Sequence, residues 1–291
     1  MLRKILLALI IWISLAVGPK SAWLTNGWCS DFASNVISST GPFGGSPYDD
    51  PLSVLGKPTT WVYDSWAGEN VATSMVYGAW GTDESGGKLI TTLNEGSEII
   101  VQFDHHIADD PLNWYGLDFI VYGNGSFSGG PGWINANTDM ENYYVTDGSG
   151  WFESAEVSVS QNGTDWYDYN SPVGDSIFPT QSFAWDRDTH TWGEELDWTK
   201  PVNPSLTGAD FAGLSVADAI DNLYDGSAGG TGFDLQESGF SWIQYIKVSN
   251  SLGGEIDGFA DVSAIPEPGT LILLGIGLIG LTWLNWKKQN I

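Results

Sequence analysis

Ala155-Glu156-Val157-Ser158-Val159-Ser160-Gln161-Asn162-Gly163-Thr164-Asp165-Trp166 is the stretch that decides the fold. Valines at 157 and 159 alternate with serines at 158 and 160, the period-two pattern of a strand buried on one face. Asn162-Gly163 follows, a dipeptide suited to the positive φ angles of a tight hairpin, and Asp165–Tyr169 resumes an extended pattern. An antiparallel unit is therefore expected, with Val157 and Val159 on the core face.

Working outward, runs rich in β-branched and aromatic residues recur at Glu98–Phe103, Leu117–Tyr122, Trp242–Val248 and Ile256–Ala264. One short helix is expected over Val216–Leu223, with Ser215 as its cap, Asp218 as the capping-box acid and Gly226 as its stop. Residues 124–150 and 170–210 are rich in Gly, Asn, Asp, Ser and Pro and are expected to be long loops. With no internal repeat and no linker-like stretch, residues 23–264 are expected to form one all-β domain.

Charge narrows the function. The 291-residue chain has 10 Lys+Arg against 36 Asp+Glu. Within residues 23–265 only 5 bases face 35 acids, a net charge of −30. Such a surface repels phosphate backbones and anionic lipid, which argues against nucleic acid as a partner. Cys29 is the sole cysteine, so no intramolecular disulfide can form; it is read as a buried small hydrophobe.

Both ends carry addressing features. Arg3 and Lys4 precede the uncharged run 5–17, the pattern of a secretory signal peptide spanning residues 1–22 with cleavage near Trp23. At the other end Ile265-Pro266-Glu267-Pro268-Gly269-Thr270 precedes the apolar stretch 271–286, and Lys287 and Lys288 close it. As a helix, 271–286 rises about 24 Å, less than the roughly 30 Å of bilayer hydrocarbon, so it suits a temporary transmembrane anchor. Lys287 and Lys288 are expected to stay cytoplasmic and the acidic body to lie outside. Gly275-Ile276-Gly277-Leu278-Ile279-Gly280 matches a dinucleotide fingerprint, but inside an apolar run with no preceding strand it carries no such meaning.

Residues 265–291 resemble the PEP-CTERM sorting signal in all three parts: the Pro266-Glu267-Pro268 motif, the apolar segment and the basic tail. The resemblance implies an exported substrate of an exosortase-type membrane protease, passing through the inner membrane of a Gram-negative-type bacterium to its envelope, surface or matrix. Within the body, Asp49-Asp50-Pro51-Leu52-Ser53-Val54-Leu55-Gly56-Lys57-Pro58, GSEIIVQFD at 96–104, LDFIVYGN at 117–124, AEVSVSQNGTDW at 155–166, GGTGFDL at 229–235 and IQYIKVSNSLGGEIDGF at 243–259 follow in series. In this order they resemble the galactose-binding-like, jelly-roll β-sandwich shared with discoidin and many carbohydrate-binding modules. Residues 125–152 are an insertion relative to that pattern. The resemblance implies a structural Ca²⁺ between an early loop and the last strand, mapping onto Asp49 or Asp50 and Asp257 or Asp261.

The body holds 13 of the chain's 16 tryptophans. Indole faces stack on sugar rings while neighbouring carboxylates and amides bond the hydroxyls. Trp133, Trp151 and Trp192, in polar surroundings, are the expected glycan platforms, whereas Trp61, Trp166 and Trp242 adjoin strands and are expected in the core. His105-His106 beside Asp104, Asp109 and Asp110 is read as a strand-end turn rather than half a metal site. No His-Glu-x-x-His, Gly-x-Ser-x-Gly or Cys/His signature is present. The expectation is a non-catalytic, exported binder of exopolysaccharide; the alternatives are a purely structural matrix protein or a secreted polysaccharide hydrolase.

Overall fold

The computed structural model describes residues 30–171, 173–249 and 253–263. The signal peptide with Arg3 and Lys4, Cys29, Pro266-Glu267-Pro268, the apolar stretch 271–286, and Lys287 and Lys288 lie outside the described residues. Among the described residues no helix is long and apolar enough to cross a membrane.

Alternation builds the first sheet; strands are numbered in chain order. In β5 (Glu98–Ala108) Ile99, Val101, Phe103 and Ile107 are buried. β14 (Trp242–Ser249) runs antiparallel beside it and sets Val248 against Ile99 and Ile246 against Val101. Its other edge pairs with β9 (Glu156–Ser160), Val157 meeting Val248 and Val159 meeting Ile246. β1 (Asn35–Thr40) and β10 (Tyr167–Asp168) complete five strands in the order β1-β5-β14-β9-β10.

The second sheet has the order β13-β6-β15-β4, from β13 (Thr231–Phe233), β6 (Phe119–Gly123), β15 (Glu255–Asp261) and β4 (Thr91–Thr92). Phe119, Val121, Phe233, Ile256 and Phe259 join the apolar residues of the first sheet in one core, so the two antiparallel sheets form a sandwich. Phe119 lies parallel to Phe233 at 4.8 Å. Tyr169 meets Phe233 edge-on at 5.1 Å and donates its hydroxyl to the Asp234 carbonyl at 2.8 Å. β6 is buried on both faces: Ile120 and Tyr122 pack outward against Trp198, Ala228 and Ala260. That explains why its sequence is continuously apolar instead of alternating.

Residues 124–150 and 170–210 are not plain loops. β7 (Ser126–Gly130) and β8 (Tyr144–Trp151) form a hairpin, and so do β11 (Phe183–Asp186) and β12 (Thr191–Glu195). A third hairpin joins β2 (Trp61–Asp64) to β3 (Glu69–Ala72). The first two cover a second core of Phe127, Tyr143, Val145, Trp185, Phe211 and Tyr224. Glycine disguised β8 in the sequence. A Cβ at Gly150 would lie 2.0 Å from the Ser126 carbonyl oxygen, and one at Gly148 1.8 Å from that of Gly208. These glycines serve close backbone approach, although composition alone suggests turns.

Two local expectations meet different outcomes. The Val216–Ala219 helix is capped by Ser215, whose Oγ accepts from the Asp218 amide at 3.1 Å; it continues as a π turn, Ile220–Tyr224, ending at left-handed Asp225 just before Gly226. The β9–β10 connection is longer than a two-residue hairpin, because the ladder resumes only at Tyr167 opposite Val159. Gly163 has φ 74, and Asn162 acts through its side chain instead, Oδ1 accepting from the amides of Thr164 and Asp165 at 2.9 Å.

Candidate functional site

At the start of β15 a cleft of about 320 Å³ is lined by Trp80, Asn124, Gly125, Trp151, Glu153, Asp175 and Glu255. Five of the seven lie at or near strand ends. Asn124 and Gly125 link β6 to β7, Trp151 ends β8, Glu153 precedes β9, and Glu255 opens β15. Trp151 is 73% exposed and Trp80 41%, so both indoles present apolar surface to solvent.

The cleft interior is acidic and tightly bonded. Asp175 is buried; Oδ1 accepts the Gly125 amide at 2.6 Å and Oδ2 the Glu255 amide at 3.2 Å. Burial pushes its carboxyl well above the ordinary carboxylate range. Glu255 accepts from Thr92 Oγ1 and from Asn124 Nδ2, both at 2.8 Å. Glu153 is raised by its withdrawal from water, with the Glu255 charge adding to it. Asn124 Oδ1 is buried without a hydrogen-bond partner.

The three expected platforms part company. Trp151 lines the cleft, and Trp133 is 94% exposed at the other end of the same hairpin. Trp192 is half-buried, edge-on to Trp185 at 5.2 Å, and packs on the second core. Trp80 was not singled out; it sits in irregular chain whose pattern gives no sign of the surface it faces. Nor are the three strand-adjacent tryptophans core residues. Trp61 is 40% exposed and leans on Phe183, Trp166 lies under Lys247 Nζ at 4.8 Å, and Trp242 stacks on His106 at 3.7 Å. Each sits at or just before the first residue of a strand, Trp61 in β2, Trp166 before β10 and Trp242 in β14. Trp61 also borders a wider trough of about 540 Å³ with Asn70, Asp83, Glu84 and Ser85.

The expected calcium ligands each have their own partner. Asp49 pairs with Lys88, and Asp50 Oδ1 accepts the Leu52 amide at 2.9 Å. Buried Asp257 takes the Thr59 amide at 2.9 Å and its hydroxyl at 2.8 Å, and desolvation lifts it to about 7. Asp261 holds His105 Nε2 at 2.9 Å, while Asp104 holds Nδ1 at the same distance. Asp261, Asp104 and partial burial set His105 at about 9, the Asp261 bond contributing most and burial opposing it. His105 lies within β5 rather than in a turn. Asp49, Asp50, Asp257 and Asp261 are thus each hydrogen-bonded or ion-paired within the protein.

Two other groups have ligand atoms within 4.8 Å of one another: Asp109 with Asp118 and Asp234, and Asp139 with Glu141 and His190. Carboxylate oxygens from the two ends of the β5–β6 connection and from the residue after β13 make the first set chemically suited to Ca²⁺. Its central member, Asp118, accepts the Asp110 and Leu235 amides at 2.9 and 2.8 Å, and burial raises it to about 6.

Residues 264–288 match the family model of the PEP-CTERM protein-sorting motif. No curated protein and no solved structure matches the chain. The motif supports an exported protein that is processed by exosortase, a membrane protease, on its way through the membrane to the cell surface.

Proposed function

We propose that the body binds polysaccharide of the exopolysaccharide or biofilm layer in the Trp80–Trp151 cleft, without cleaving it. On this reading the sandwich is a galactose-binding-like jelly roll, and exosortase acts at Pro266-Glu267-Pro268 to free the body for the envelope or matrix. One observation carries the proposal: two partly exposed indoles line a cavity together with an amide and three carboxyl groups, the combination that stacks on a sugar ring and bonds its hydroxyls. Absence of catalysis is supported by the commitment of the acids. Both oxygens of Asp175 and of Glu255 hold protein donors, which leaves Glu153 as the one cleft carboxyl without a hydrogen bond among the described residues. A glycosidase needs two carboxyl groups that exchange protons or bonds with the sugar.

The test is a glycan array probed with the full chain in detergent, beside Trp151→Ala and Trp80→Ala. Binding that both variants lose is expected; a flat response across acidic and neutral polysaccharides contradicts the proposal. Reducing ends released from a bound polysaccharide would show a hydrolase instead. A structural Ca²⁺ belongs to the same reading, at Asp49 or Asp50 with Asp257 or Asp261, or at Asp109, Asp118 and Asp234; a melting temperature unchanged by chelation removes it.

A further inference from the structure

Resting on the cleft as a sugar site, we infer that its ligand is a cationic amino sugar, a hexosamine unit with a free protonated amine, rather than a neutral or uronic sugar. Apart from the indole N–H groups of Trp80 and Trp151, the side chains of the cleft offer acceptors. Asn124 is 3% exposed and lines the cleft, its Nδ2 is spent on Glu255, and its Oδ1 is left without a partner. Gly78 adds no side chain beside that oxygen, where a Cβ would come within 2.4 Å. A buried amide oxygen left unbonded is destabilising, so a ligand N–H that reaches it is favoured.

Charge selects which donor. Glu153 and Glu255 line the same cleft, and each Lys and Arg of the described residues is engaged elsewhere: Lys57 with Glu195, Lys88 with Asp49, Arg187 with Asp218 and Asp221, Lys200 with Asp225, Lys247 with Asp168. None of the five lines the cleft. A uronate carboxylate would meet two like charges and no cation, whereas an ammonium is drawn to the same two carboxylates. Withdrawal from water raises the Glu153 carboxyl, and the neighbouring Glu255 charge adds to it.

The test measures affinity of the full chain in detergent, at physiological salt, for hexamers of glucosamine, N-acetylglucosamine, glucose and galacturonate. Because the whole body is acidic, Glu95→Gln, which removes an exposed charge outside the cleft, serves as the control and is expected to leave every affinity unchanged. Glucosamine is expected to bind at least about tenfold more tightly than the N-acetylated hexamer, a ratio that Glu153→Gln cuts severalfold and that Trp151→Ala abolishes with binding itself. Equal affinity for the charged and neutral hexamers, with binding still lost in Trp151→Ala, overturns the amino-sugar inference and leaves the cleft in place. Preference for galacturonate overturns it likewise. A glucosamine preference that Glu95→Gln weakens as much as Glu153→Gln assigns it to the bulk surface and also overturns the inference. Binding that ignores Trp151 overturns the cleft together with the inference.

Discussion

Asn124 Nδ2 donates to Glu255 Oε2 at 2.8 Å and so ties the end of β6 to the first residue of β15 inside the cleft. Asn124→Ala removes that donor and also the orphan Oδ1 beside it. A stability loss of about 1–2 kcal/mol is expected from the uncompensated carboxylate, checked by urea titration. Sugar affinity should fall further than stability, because the oxygen that meets the ligand goes too.

Trp151 and Trp192 separate binding from packing. Trp151→Ala is expected to leave stability within about 0.5 kcal/mol, as for an exposed residue, while weakening sugar binding at least about tenfold. Trp192→Ala should do the reverse, losing its edge contact with Trp185 and lowering the melting temperature with affinity intact. Paired calorimetry and binding isotherms check both.

Gly148→Ala tests the second core. Its φ of 75 disfavours any side chain, and the new Cβ would sit 1.8 Å from the Gly208 carbonyl oxygen. A loss of about 1–3 kcal/mol is expected, with hydrogen exchange rising in β7, β8 and the 208–211 turn before it rises in β5 or β14.

Acid stability should be unusual. Asp118 at about 6, Asp257 at about 7 and the raised Asp175 and Asp261 all bind a proton more tightly folded than unfolded. Each costs stability as pH rises from the unfolded carboxylate value of about 4 through its folded value. His105, raised to about 9, adds stability that is complete below its unfolded value of about 6.5 and disappears as pH climbs through 9. Asp49, Asp139 and Asp186, lowered chiefly by hydrogen bonds, lose their contribution only below about 4. The melting temperature is therefore expected to peak between about pH 4 and 6 and to fall steadily towards pH 10; a maximum at pH 8 would contradict these assignments.

The sandwich was legible because its strands alternate or run apolar: Val157 and Val159, Ile99 and Val101, and Ile246 and Val248 sit on the core face, as their spacing requires. The Ser215 cap was legible for a similarly local reason. The second core was not, because β8 carries only one buried residue, Val145, between polar residues and glycines, and the partners of those glycines lie dozens of residues away. Half of the cleft was visible in Trp151. The rest depends on register and long-range closure, which bring Trp80, Asn124, Glu153 and Asp175 to the edge of β15; no window of sequence contains that meeting. The expected calcium ligands were placed by resemblance alone, and in the fold they meet neutral, histidine or lysine partners.

The most direct measurement is isothermal calorimetry of sugar hexamers against the full chain and its Trp80→Ala/Trp151→Ala double variant. The account predicts saturable binding to the native chain and none to a double variant that melts at the native temperature. Undiminished binding by that variant would contradict it.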